Sequence, residues 1–147
     1  MTWDGEGGDN LASTALNWYG DVTPGPGDDV VLDGTTNKNM TWDLTNSVAS
    51  WLQTEAFTGT VTIATVYSGT FTQLHITGNC IVSNGIWTHA ANGGAENNRL
   101  RVLVDGNFML SSNATINANG KGYGAGSGPG AGSAANANAQ PAASHGR

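Results

Sequence analysis

Charge is what this sequence has least of. Asp, Glu, Lys and Arg make up 11% of its 147 residues, against about 25% in an ordinary globular domain. Only five residues are basic, and the formal net charge is −6. Five scattered cations cannot build the phosphate-neutralising stripe that nucleic acid requires. Arg99 and Arg101, two residues apart, are expected on one side of a strand as a pair rather than a patch. Cysteine is almost missing too. With Cys80 alone, no intramolecular disulfide and no cysteine-based zinc site can form. Beside Ile81 and Val82, its thiol is expected to be buried as a small hydrophobe. No apolar run approaches the roughly 20 residues of a spanning helix, so no membrane span is expected. Nor does a basic and then apolar leader follow Met1. Together with the composition, this points to a mature or recombinant fragment of a secreted protein rather than a cytosolic one.

In place of charge stand Thr, Asn, Ser and 22 glycines, with five tryptophans. Thr is β-branched, while Gly and Asn tolerate positive φ, so the mixture suits short strands joined by tight turns. The length fits one domain with a core. Three zones divide the chain. Residues 1–28 are turn-rich, with one short helical pattern from Leu11 to Trp18 that cannot stand alone. Residues 29–118 read as strands, and residues 119–147 as a flexible Gly/Ala/Asn-rich segment or insertion. The expected strands are Val30–Leu32, Met40–Leu44, Thr60–Ile63, Thr70–Ile76, Cys80–Val82, Leu100–Val104, Asn107–Leu110 and Thr115–Asn117, each bounded by turn formers. Met40/Trp42/Leu44 and Leu100/Val102/Val104 alternate as half-buried strands do. Asn84-Gly85 is the clearest hairpin signal.

Two all-β architectures fit these runs: a right-handed parallel β-solenoid, which is a β-helix with an N-terminal cap, and a β-sandwich. Brief apolar triplets between small polar corners favour the solenoid, although no strict repeat period is present.

The first 35 residues carry a recognisable line: Trp3, Gly5, Gly7-Gly8-Asp9-Asn10, Ser13-Thr14-Ala15, Asn17-Trp18, Pro24, Gly27-Asp28-Asp29-Val30 and Asp33. This line resembles the N-terminal module and first coils of bacterial extracellular parallel β-helix surface proteins, such as autotransporter passengers and giant adhesins. Gly59-Thr60-Val61-Thr62 and the run from Gly120 to Gly130 extend the resemblance. Such modules often hold a tryptophan near position 12, where this chain has Ala12, which implies different packing around Trp3 and Trp18. Residues 1–28 make physical sense as a cap, because a first coil exposes unpaired backbone and an apolar end.

Each candidate site has a plain structural reading beside the chemical one. Asp4, Glu6, Asp9 and Asn10 present oxygens at alternate spacing, but no bidentate Glu closes an EF-hand loop. They read as a solvated acidic turn rather than a calcium site. Asp28, Asp29 and Asp33 read as turn-capping residues. Asp43, Glu55, Glu96 and Asp105 lack the spacing of a paired acid and base for sugar hydrolysis. His75 should face away from Leu74 and Ile76, and neither it nor His89 has a nucleophile context. Thr60/Thr62 and Thr70/Thr72 are T-x-T pairs of the kind that form ice-binding arrays, but only two are found. Trp42, Trp51 and Trp87 could stack on sugars if exposed, and core burial is the expected outcome. The Gly120–Gly130 run lacks the G-x-x-x-x-G-K-[ST] pattern and the β–α context of a phosphate loop.

No catalytic residue, metal or cofactor is therefore assigned. The expected function is non-enzymatic: a structural module of a secreted or cell-surface stalk, fibre or adhesin, acting through coil stacking. A carbohydrate-binding module and an ice-binding solenoid are the alternatives. The expected partners are further coils or a second copy, with surface glycans as another class. Nothing after Ile116 looks like a second cap, so an open edge is expected there.

Overall fold

The computed structural model describes residues 1–64, 70 and 72–131. The chain is all-β, as expected, built around a curled sheet of parallel strands. Its elements are β1 (Asp29–Leu32), β2 (Met40–Trp42), β3 (Ser50–Gln53), β4 (Thr60–Ile63), β5 (Leu74–Ile76), β6 (Cys80–Thr88), β7 (Val102–Val104) and β8 (Phe108–Ile116). The helical pattern at Leu11–Trp18 yields only a 3-10 turn over Ala15–Asn17.

The registers fall into columns. In the first, Thr2, Val31, Leu52, Ile81 and Met109 follow one another, spaced 29, 21, 29 and 28 residues apart. In the second, Leu11 pairs Thr41, Met40 pairs Val61, and Val61 pairs Trp87, which pairs Ile116. In the third, Val48 pairs Ile76, which pairs Val104. All ladders between named strands are parallel, so consecutive strands are not joined as hairpins. The unequal spacing also accounts for the missing repeat period.

Alternation sends one side of each column inward. Val30 and Leu32, Trp51 and Gln53, and Cys80 and Val82 are buried, while Leu52 between its neighbours is exposed. Corners need small residues. A Cβ on Gly78 would stand 2.6 Å from the Ala49 carbonyl oxygen, and one on Gly106 2.6 Å from that of Gly78. Asparagines tie one row to the next at other corners: Asn37, Asn39 and Asn79 accept from the backbone N–H of Thr58, Thr60 and Asn107.

Several expectations need correction. Asn84-Gly85 forms no hairpin. It is a corner inside β6, where the strand passes from the first column to the second with a register shift. Gly85 has φ +83°, and a Cβ there would lie 2.7 Å from the Gly59 carbonyl oxygen, so the glycine serves a corner rather than a reversal. The runs at 107–110 and 115–117 belong to one strand, β8, and β3 had no counterpart in the sequence reading. Arg99 and Arg101 precede β7 instead of lining a strand; of the expected strand Thr70–Ile76, Leu74–Ile76 forms β5, while Phe71 lies outside the described residues. Beyond β8, residues 119–131 run beside the loop at 92–93, where Asn92 N–H donates to the Lys121 carbonyl and Gly124 N–H to that of Gly93, both at 3.1 Å. The remainder of the Gly/Ala/Asn-rich segment, 132–147, lies outside the described residues.

Candidate functional site

An aromatic spine runs through the columns. Trp3, Trp18, Trp42, Trp51 and Trp87 pack edge to face in that order, with centroids 5.2, 6.5, 5.3 and 5.5 Å apart. Such contacts set the positive ring edge against the negative face of its neighbour. Phe108 continues the spine 6.1 Å from Trp87. All five tryptophans are buried, so Trp42, Trp51 and Trp87 form no platform for a sugar ring.

The two ends of the columns differ. At the N-terminal end Trp3, Ala12 and Trp18 are fully buried. The free backbone of that row is also occupied. Tyr19 N–H donates to the Thr2 carbonyl at 2.9 Å, Asn17 Nδ2 to that of Leu11 at 3.0 Å, and Trp18 Nε1 to that of Ala12 at 2.7 Å. Ala12 thus leaves room for Trp18 to fold over the row.

At the other end Phe108 is 45% exposed, Leu110 40% and Ile116 45%. Trp87, Leu100, Val102, Val104, Phe108 and Ile116 line an apolar cavity of about 320 Å³ there. Among the described residues, β8 pairs on one side only, with β6. The row has apolar inward positions, and no following row among the described residues covers them. This unfinished edge is the candidate functional site.

A polar cleft of about 600 Å³ lies on the outer side of the third column, lined by Thr45, Ser47, Thr70, Thr72, Gln73, His75 and Arg101. His75 points outward as expected, and its Nε2 meets Asp105 Oδ2 at 2.9 Å. His89 is buried, with Nδ1 2.9 Å from the Ala90 carbonyl.

The acidic candidates do not converge. The Leu11 backbone N–H, then the Thr14 hydroxyl and the Asn17 amide, hold the Asp9 carboxyl below its ordinary pKa. Asp4 accepts from Glu6 N–H. Asp28 caps Gly25 N–H, Asp33 caps Thr35 N–H, and Asp29 bonds the Ser50 hydroxyl. Asp43 holds Ser13, Glu96 pairs with Arg99, and Asp105 belongs to His75. No group of three metal-ligating side chains occurs among the described residues. Burial pushes the Cys80 thiol up to about 12. Of the T-x-T pairs, Thr60/Thr62 lies on β4 whereas Thr70/Thr72 is on no strand; Ile86 takes the place beside Thr60, while Thr62 stands in register between Thr41 and Thr88.

Compared with protein-family models, with curated proteins and with solved structures, the chain matches none.

Proposed function

We propose that the chain is a non-catalytic structural module of a secreted or cell-surface protein, a parallel β-solenoid that builds a stalk, fibre or adhesin by stacking coils. The observation that carries this reading is the unfinished row at β8, whose apolar inward residues lie open above Trp87. An enzyme needs a converged set of reactive groups, and Asp4, Asp9, Asp28, Asp29, Asp33 and Asp43 are each bonded separately to a turn or a neighbouring row. The column registers, the small-residue corners and the closed N-terminal end support the capped solenoid. The likeness of residues 1–35 to β-helix surface proteins supports the extracellular setting.

Amide hydrogen exchange tests the stack. Amides of β3, β4 and β6 are expected to be among the slowest to exchange because rows lie on both sides of them. Rapid exchange throughout β6 would refute the arrangement. Antibody labelling of intact cells tests the location: labelling only after lysis would refute a surface role.

The polar cleft favours glycan binding as a second reading, with hydroxyls, His75 and Arg101 in place of tryptophan. Glycan-array binding lost in a His75→Ala/Arg101→Ala variant would support it.

A further inference from the structure

Resting on the stacked-row reading above, we infer that the open edge is a self-complementary surface on which β8 pairs antiparallel with β8 of a second copy, centred on Ser112. The closed end decides against head-to-tail growth. Asn17, Trp18 and Tyr19 already bond the Leu11, Ala12 and Thr2 carbonyls of the first row, so an incoming β8 would have to displace them. Residues 132–147 contain no Val, Ile, Leu, Met, Phe, Tyr or Trp.

A second copy does fit. A two-fold axis in the plane of the row reverses strand direction, so identical edges meet antiparallel. Cys80 N–H donates to the Asn107 carbonyl, and Asn117 N–H to that of Trp87. Residues 107 and 117 therefore direct their amides back at β6. By the two-residue alternation, Phe108 and Leu110 from one end and Ala114 and Ile116 from the other direct theirs to the open edge. Centred on Ser112, the pairing sets Phe108 against Ile116 of the second copy, and Leu110 against Ala114. Inward apolar side chains then meet inward apolar side chains. Charge agrees as well. A two-fold contact brings like groups together, and no residue from Asn107 to Ala118 is charged. Edges that must stay single usually carry Lys, Pro or an inward charge, and β8 has none of these.

Sedimentation equilibrium on the full chain, with β6 amide exchange measured in the same samples, tests the proposal. Twice the 15.0 kDa chain mass is expected for the parent, and the single mass for Ile116→Lys, whose ammonium would face Phe108 of the second copy. Met109→Lys, on the outward side, should keep the double mass. Register is read by cysteine. Directly opposite Cα atoms in a bonded antiparallel pair lie about 5.5 Å apart, within disulfide reach. Ser112→Cys should therefore link two copies under mild oxidation, and Thr115→Cys should not. A monomeric parent with protected β6 amides overturns the pairing and leaves the stack intact. An open-ended series of masses overturns the two-fold contact. Rapid exchange in β6 overturns both this pairing and the stack beneath it.

Discussion

Trp87 Nε1 donates to Gln53 Oε1 at 2.9 Å inside the core, and Gln53 Nε2 in turn donates to the Asn84 carbonyl. Gln53 stands between Leu32 and Val82 in an otherwise apolar inward line, and its amide fixes both the spine and the corner of β6. Gln53→Leu would leave an indole N–H and a carbonyl without partners. The expected loss is about 1–3 kcal/mol, read as a lower urea midpoint at unchanged slope. A neutral result would mean that neither group depends on Gln53.

The indole N–H groups of Trp42 and Trp51 are buried without a hydrogen-bond partner among the described residues. Trp42→Phe therefore removes a donor that was unsatisfied already, whereas Trp87→Phe strands Gln53 Oε1. Both lose similar volume. Trp42→Phe is expected to be milder by about 1 kcal/mol, the usual net worth of one such bond, in paired chemical melts.

Gly85 makes the corner between columns. Gly85→Ala meets both the positive φ and the Gly59 carbonyl, and should cost about 1–3 kcal/mol. Gly8 has open space around its Cβ position, so Gly8→Ala should leave the midpoint nearly unchanged or raise it slightly. Equal effects would show that the corner relaxes.

How far the fold could be read in advance depended on which residues alternate. Met40/Trp42 and Val102/Val104 keep apolar residues on one side, and their strands were legible. β3 was not, because Ser50-Trp51-Leu52-Gln53 inverts the pattern: polar Gln53 points inward and Leu52 outward. The second half of β6 was hidden by Asn84-Gly85, a dipeptide whose positive φ serves a corner as readily as a hairpin. Of the candidate site, the scarcity of apolar side chains in residues 117–131, which hold Tyr123 and a few alanines, was legible. The closed N-terminal end was legible only in outline. That Asn17, Trp18 and Tyr19 occupy particular carbonyls depends on backbone placement, which composition does not fix.

Acid should weaken the fold through Asp9. Its folded pKa is lowered by the Leu11 N–H, the Thr14 hydroxyl and the Asn17 amide. A lowered carboxylate contributes stability above its unfolded value, and that contribution is lost as pH falls through the folded value. Asp9→Ala should therefore melt below the parent at neutral pH and converge with it in strong acid. Calcium or chelator should leave the parent unchanged. A shift above about 5 °C, of order 1 kcal/mol, would require the acidic turn to hold a metal.

The last prediction concerns what the glycine-rich segment does for the edge. Residues 119–131 are bonded to the loop at 92–93 rather than laid over Phe108, Leu110 and Ile116, which stay exposed with the segment in place. A chain ending at Ala118 should therefore keep the β-dominated far-UV circular dichroism spectrum and a cooperative melt. It should also keep whatever association the parent shows by light scattering, because the surface that associates is β8 itself. Two outcomes would count against this. Loss of the β spectrum would mean that residues after 118 support the last row. Stronger association in the shortened chain would mean that they shield the edge, giving the glycine-rich segment a protective role that its bonds to residues 92 and 93 do not suggest.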